Sequence, residues 1–288
     1  MTTRMTMGLA GVLAGLLAMM LGGCDSLFYQ PSRAMTATPE NIHLAYSDLW
    51  LESPGQPKLH GWLLPAKGPR KGWVVVFHGN AANISNHMYG VHWLPGEGYS
   101  VMVWDYRGYG RSAGEPDREG LVNDGERALA KARELAGNEP LFVYGQSLGG
   151  AVALATLGKT GITGLNGLIL ESTFGSYRAM AREKMSELWP LWPIQYPLSW
   201  LLISEEWNGE DPLPKLAALP LLVAHQVDDP VVSFDNGKRL FDSFPGADKT
   251  FLPLDEDGHI SVFAPKYSPY RKPLLDWMDK RRQRTPAP

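Results

Sequence analysis

A chain of 288 residues with 44% hydrophobic and 20% charged residues has the composition of a globular protein, long enough for one large α/β domain or two small ones. Its net charge of -3 gives no basic footprint, which excludes nucleic acid as the expected partner. A single cysteine, Cys24, excludes an internal disulfide and a cysteine-built metal cluster, so a covalent nucleophile in the mature domain must be something other than a thiol.

At the N-terminus, Arg4 precedes an apolar stretch over residues 8–21, the length of a signal-peptide core and short for a membrane span. Leu21-Gly22-Gly23-Cys24 resembles a bacterial lipobox, in which the cysteine thiol receives a diacylglycerol and the chain is cleaved before it. Residues 1–23 are therefore expected as a lipoprotein signal peptide, 24–40 as a lipid-anchored tether, and 41–288 as the folded domain. The expected partner at this end is a membrane, reached through lipidated Cys24, and the expected location is the periplasm-facing side of a bacterial envelope. Asp25 resembles an inner-membrane retention signal, with the outer membrane as the alternative.

Residues 41–51 and 58–64 read as two strands joined by the turn Ser53-Pro54-Gly55-Gln56-Pro57, forming an antiparallel edge. Trp73-Val74-Val75-Val76-Phe77 is a continuous β-branched and aromatic run, the pattern of a strand buried on both faces. Beyond it, helical stretches at 83–94, 117–136, 233–243 and 268–282 alternate with strands at 100–104, 141–146, 167–170, 221–224 and 250–254. This alternation implies a mostly parallel, doubly wound sheet with helices on both faces and the active site at the strands' carboxyl ends. The alternation breaks between 174 and 219, where dense prolines prevent one long helix, so a small helical cap is expected over about 175–218. Aromatics between Trp189 and Leu202, Trp192 and Trp200 among them, are expected to wall an acyl pocket, with packing of the cap or contact with a lipid surface as alternatives.

Leu141-Phe142-Val143-Tyr144-Gly145-Gln146-Ser147-Leu148-Gly149-Gly150 is a strand that ends in G-x-S-x-G and runs at once into a helical stretch. That is the context of a nucleophile elbow, whose tight turn tolerates no bulk two positions either side of the serine. A serine hydroxyl needs a neutral histidine as base, and the histidine needs a carboxylate to fix its tautomer, in the chain order Ser, acid, His. Among the seven histidines only His225 and His259 follow Ser147, and only His259 sits in a late loop directly after a strand. The acid belongs in the loop His225-Gln226-Val227-Asp228-Asp229-Pro230, where spacing leaves Asp228 and Asp229 in competition. The oxyanion requires two backbone amides: Leu148 supplies one and Asn80 the other, with Ala81 in reserve. His78 then braces that loop and is not expected to bind a metal, since no second ligand stands at metal spacing.

Phe77-His78-Gly79-Asn80-Ala81-Ala82-Asn83, Asp105-Tyr106-Arg107-Gly108-Tyr109-Gly110-Arg111-Ser112, Gly145-Gln146-Ser147-Leu148-Gly149-Gly150, Glu171-Ser172-Thr173-Phe174 and the His225 and His259 loops together resemble the α/β-hydrolase superfamily. The similarity runs from about Phe28 to the end, toward a branch of membrane-associated serine hydrolases that includes protein depalmitoylases and bacterial relatives. The resemblance implies that the acid is the residue four positions after the loop histidine and two before a valine, hence Asp229, and that Gln226 departs from the family's usual glycine. It also implies hydrolysis of an acyl ester or thioester through an acyl-enzyme, without metal or organic cofactor, on a small-molecule or lipid-like substrate. The alternatives are a serine aminopeptidase, which would need a cap carboxylate such as Glu205, Glu206 or Glu210 to bind an amine, and a non-catalytic lipoprotein module. A serine nucleophile in place of aspartate argues against dehalogenase and epoxide hydrolase chemistry.

Overall fold

The computed structural model describes residues 29–161, 163–188, 190–260 and 262–283. The signal peptide, the lipobox with Cys24 and Asp25, and Trp189 of the cap lie outside the described residues. Eight strands, β1 (Ser47–Leu51), β2 (Leu59–Leu64), β3 (Gly72–Phe77), β4 (Tyr99–Trp104), β5 (Leu141–Gln146), β6 (Gly167–Glu171), β7 (Leu221–Gln226) and β8 (Lys249–Leu254), form one sheet. Their order is β1-β2-β4-β3-β5-β6-β7-β8; β2 pairs antiparallel with β1 and β4, and every other pair is parallel.

The strand period of two divides the central strands between two cores. Trp73, Val75 and Phe77 of β3 with Leu141 and Val143 of β5 face one side, while Val74, Val76, Phe142 and Tyr144 face the other. The first side receives Leu121, Ala128 and Leu129 of α2 (Arg118–Ala136) and Ala151 and Leu154 of α3 (Leu148–Thr160). The second receives Ile84 and Met88 together with Leu274, Trp277 and Met278 of the C-terminal helix (Arg271–Arg282). Helices thus cover both faces, as a sheet of continuous apolar strands requires. From β3 the chain winds one way to β4 and then returns past β3 to β5, so the winding reverses between β3 and β5. Ligand sites of doubly wound sheets open at the carboxyl ends beside such a reversal.

Several boundaries differ from the sequence pattern. The stretch expected as one helix over 83–94 is a single turn, Ile84–His87, capped by Asn83 Oδ1 accepting from Ser85 N, then 3-10 turns at Met88–Gly90 and Leu94–Glu97. Asn, Ser, Gly and Pro at this density offer the backbone alternatives to a helical ladder. The first strand starts at Ser47, because Pro39–Ile42 forms a 3-10 turn that ends at His43 with φ 56°.

The described part of the expected tether, residues 29–40, is packed against the body. Tyr29 is buried, Gln30–Pro31 pairs in parallel with Ala81–Ala82, and Asn83 Nδ2 donates to Ser32 O and Ala34 O at 2.9 and 2.8 Å. Arg33 donates to Ser112 O and Gly114 O, and Pro39 is buried. Pro and Ser spacing resembles a linker, yet Gln30 N donates to Asn80 Oδ1, Ser32 N to Ala82 O and Thr36 N to Ser85 Oγ, so the segment's backbone is tied to the domain at several points.

The cap comprises α4 (Tyr177–Glu187), a 3-10 turn at Trp192–Ile194, α5 (Gln195–Leu202) and a 3-10 turn at Leu213–Leu216. Phe174, Tyr177, Ala181 and Ile203 join it to the core on the α2 side. Two polar ties reinforce the seam. Arg118 Nη1 donates to Ser204 O at 2.5 Å with its guanidinium 4.1 Å from the Tyr177 ring centroid, and Glu183 accepts from Ser233 N and Ser233 Oγ at 3.1 and 2.7 Å. Trp192 and Trp200 do not wall an enclosed pocket: they are 62% and 72% exposed.

Candidate active site

Ser147 lies between β5 and α3 with φ 52° and ψ -123°, a region that residues bearing a side chain rarely enter. The flanking glycines let the turn close: a Cβ on Gly145 would lie 2.6 Å from Gly150 Cα, and one on Gly149 would lie 2.0 Å from Phe77 O. Ser147 N donates to Glu171 O at 2.9 Å and Thr173 Oγ1 donates to Ser147 O at 2.6 Å, which locks both ends of the strained residue to β6 and its loop. The carboxylate of buried Glu171 accepts in turn from Tyr144 Oη and Gln146 Nε2 at 2.8 and 2.7 Å.

His259 comes from the loop beyond β8 and meets Ser147 Oγ through Nε2 at 2.7 Å. Its Nδ1 lies 2.7 and 2.9 Å from the two oxygens of Asp229. An ionised carboxylate only accepts, so Nδ1 carries the proton and Nε2 is left to accept from the serine hydroxyl. Asp229 Oδ1 also accepts from the amides of Val231 and Val232 at 2.8 and 3.0 Å. Burial pulls this carboxyl upward, but the His259 hydrogen bond and charge and the two amides outweigh it, holding Asp229 below the ordinary carboxylate range. Of the two aspartates that spacing left open, Asp229 faces His259 and Asp228 is exposed.

The loop after β3 stands over the nucleophile, since a Cβ on Gly79 would come 3.6 Å from Ser147 Cβ. Asn80 follows in that loop, its Oδ1 accepting from Gln30 N and Tyr109 Oη at 3.0 Å each. Leu148 opens α3, where the first amides have no partner within the helix. Buried His78 braces the loop: Nδ1 donates to Gly79 O at 2.7 Å, the ring packs 4.4 Å from the Tyr106 centroid, and Tyr106 Oη donates to His78 O at 3.0 Å. His87 stacks on His78 and its Nε2 donates to Ala81 O at 2.8 Å.

Roles for Gln226 and Glu183 were not legible in the sequence. The Gln226 amide, buried at the end of β7, satisfies its surroundings when Nε2 donates to His259 O and to Ser172 Oγ (2.6 Å) while Oε1 accepts from His259 N at 3.2 Å. It clasps the backbone of the histidine that a glycine would leave unheld. Glu183 also accepts from Asn236 Nδ2, tying the cap to the start of the helix Phe234–Ser243 that follows the Asp229 loop. Between them opens a polar cleft of about 600 Å³ whose lining includes Arg182, Glu183, Tyr196, Asp229, Asn236 and Arg239. Of the cap carboxylates, Glu205 accepts from Ser176 Oγ and Arg178 N at 2.7 Å each, Glu206 is exposed, and burial pushes the half-buried Glu210 carboxyl above the ordinary range.

Residues 68–207 match the family described as serine aminopeptidase, S33. The protein YfhR of Escherichia coli strain K12 is 31% identical over 228 residues, 77% of this chain and 76% of that protein. In three dimensions the Pyrococcus furiosus esterase Pf2001 superposes with a TM-score of 0.70 at 16% identity, over 88% of this chain and 98% of that one. The chain belongs to the α/β-hydrolase family. The lysophosphatidylserine lipase ABHD12 of Gallus gallus is another relative of the hydrolase, 29% identical over 233 residues, 75% of this chain and 59% of that protein. The protein is a hydrolase enzyme, and its sheet and flanking helices are those expected from the strand and helix pattern.

The two aspartates should separate by substitution. Asp229→Asn is expected to lower turnover by about four orders of magnitude, the loss a triad acid causes elsewhere, and Asp228→Asn to leave it within a few-fold. Steady-state kinetics on one ester distinguishes them, and a larger loss for Asp228→Asn reverses the assignment.

Acid stability carries a second expectation. Burial, then the neighbouring His78, pulls His87 down to about 3, and burial also lowers His225, so both stay neutral in the fold. The unfolded chain takes up protons below the ordinary imidazole value of about 6.5 and the folded one does not, so stability falls as pH drops from there toward about 3. Urea unfolding of His87→Gln at pH 7.5 and 5 should show a smaller loss than the parent; an equal loss refutes the burial of His87 as its source.

Proposed function

We propose that the protein is a serine hydrolase that cleaves carboxylic ester or thioester bonds, with Ser147 as nucleophile, His259 as base and Asp229 as the acid that orients it. The observation that carries this reading is the unbroken chain from Ser147 Oγ through His259 to Asp229, with 2.7 Å at each link, at a strained turn under the Asn80 loop. Ser147 Oγ attacks the acyl carbonyl carbon as its proton passes to His259 Nε2, and the oxyanion that forms takes hydrogen bonds from the Leu148 and Asn80 amides. Collapse breaks the bond to the alcohol or thiol, which leaves with the proton from His259. Water, deprotonated by His259, then attacks the acyl-enzyme; the acid departs and Ser147 regains its proton. Asp229 keeps Nδ1 protonated and stabilises the imidazolium between these transfers.

An ester or thioester, with a lipid-like acyl group among the candidates, is preferred over a peptide. The family's name points to aminopeptidase activity, and a peptidase of that kind needs an anion for the substrate amine. Of the three cap carboxylates that could take that role, Glu205 is committed to Ser176 and the Arg178 amide, Glu206 is exposed, and Glu210 faces Arg239 at 3.7 Å. The lipase and esterase among the relatives support the ester reading. The membrane reading is part of the same proposal: Cys24 carries lipid and holds the domain on the periplasmic face of a bacterial membrane, with Asp25 pointing to the inner one.

A fluorophosphonate probe should label the wild-type protein and leave Ser147→Ala unlabelled, while the variant retains its melting temperature within a few degrees. Equal labelling of the alanine variant ends the serine assignment.

Radiolabelled fatty acid supplied to producing cells should enter the wild type and not Cys24→Ser, whose unprocessed form should run larger on a gel. Incorporation into Cys24→Ser removes the lipoprotein reading and leaves the hydrolase reading standing.

A further inference from the structure

The outward side of the cap is apolar. Trp192, Tyr196 and Trp200 recur at four-residue intervals through the 3-10 turn and α5, which aligns them along one side, and they are 62%, 67% and 72% exposed. Leu188, Ile194 and Leu201 extend the surface. Ser199, by contrast, is buried, its Oγ accepting from Arg182 Nε at 3.1 Å and donating to Tyr196 O at 3.0 Å. A surface helix ordinarily turns its apolar side to the core and its polar side to water. Here the small polar residue is inside and the large aromatics are outside, and exposed apolar surface of this kind marks a contact.

The placement of the chain says what makes that contact. On the proposed lipoprotein reading Cys24 carries the lipid, and the chain joins the domain only a few residues later at Gln30–Pro31, paired with Ala81–Ala82 in the loop beyond β3. That loop lies at the carboxyl end of the sheet. The cap follows β6 and is tied by Glu183 to the loop after β7, so it lies at the same end, as does Ser147. The point where the N-terminal segment joins the domain, the apolar cap and the reactive serine therefore share one end of the fold.

We propose that this face of the cap docks on a lipid bilayer, with Trp192, Tyr196 and Trp200 seated at the boundary between headgroups and acyl chains. Aromatic rings with an apolar body and a polar edge settle at that depth. The Arg182 guanidinium, 5.3 Å from the Tyr196 ring centroid, lies beside the contact, where a phosphate headgroup would meet it. The active site then opens toward the membrane and draws its ester from the bilayer; this last step alone rests on the ester reading.

The test uses the full chain, reconstituted into phosphatidylcholine vesicles that contain phospholipid brominated along the acyl chain, a short-range quencher of indole fluorescence. None of the ten tryptophans lies in the N-terminal segment, so quenching reports on the domain itself. Wild-type fluorescence should be quenched, and the double variant Trp192→Glu with Trp200→Glu should lose most of that quenching. The same variant should hydrolyse a long-chain ester embedded in vesicles at least about tenfold more slowly, the scale set by burying one large apolar side chain, and a water-soluble short-chain ester at an unchanged rate. Trp192→Leu with Trp200→Leu should keep the vesicle activity, which separates loss of docking from misfolding of the cap. Absence of wild-type quenching overturns the proposal. So does an equal fall on both esters, which would make these residues part of the acyl pocket, or detergent-solubilised dimers that the glutamate variant dissociates, which would put a second copy on the face. If the wild type hydrolyses neither ester, the ester reading fails while quenching still decides the docking.

Discussion

Everything at the site depends on holding one serine in a backbone conformation it would not choose. A positive φ on a residue with a side chain costs about 1–3 kcal/mol and persists only where the surroundings over-determine it. Those surroundings are on both sides of Ser147: the Glu171 carbonyl takes its amide, the Thr173 hydroxyl takes its carbonyl, and Gly145 and Gly149 let the strand and helix close without a clash. The strain lifts the hydroxyl clear of the sheet and aligns the first amides of α3 beneath it. The same turn thus positions the hydroxyl and the Leu148 amide together, and neither can move without the other.

The remaining members arrive on separate loops, and each loop has its own brace. His78, pressed against Tyr106, fixes the loop that carries Asn80. The amides of Val231 and Val232 orient Asp229, and buried His225 donates from Nε2 to Val232 O at 2.9 Å, stiffening the same turn. Gln226 clasps the backbone of His259. A misplacement of about 1 Å at a reacting group can cost roughly a hundredfold in rate, so these contacts bear on the proposed chemistry through the positions they fix.

Much of this was legible before any coordinate. The sheet follows from β-branched runs spaced by helical stretches, and Ser147 and His259 follow from the elbow and from chain order, because each rests on a local pattern with few competitors. Asp229 could not be separated from Asp228 by spacing, since the choice depends on which carboxylate a turn directs inward. Gln226 stood out only as a departure from a glycine, because its function belongs to a residue on another loop, 33 positions along the chain from it to His259. The packing of residues 29–40 was hidden for a similar reason: Asn83, which fixes that segment, carries no local sign of its distant partners. The cap aromatics were misplaced because composition does not say which side of a short helix faces out.

The cap is joined to the body by a modest apolar contact and by polar ties, and segments held in this way open at lower free energy than the core. One of those ties reaches the loop of Asp229. Glu183 holds Ser233 and Asn236, residues that follow Asp229 within one short loop and the first turn of the next helix. Through Glu183, α4 is linked to the element that follows Asp229, and it begins four residues after Thr173, whose hydroxyl donates to Ser147 O. The cleft between α4 and the Asp229 loop is lined by groups from both. Cap and Asp229 loop thus share one polar tie and one cleft, so the surroundings of Asp229, and through it of His259, are set by both.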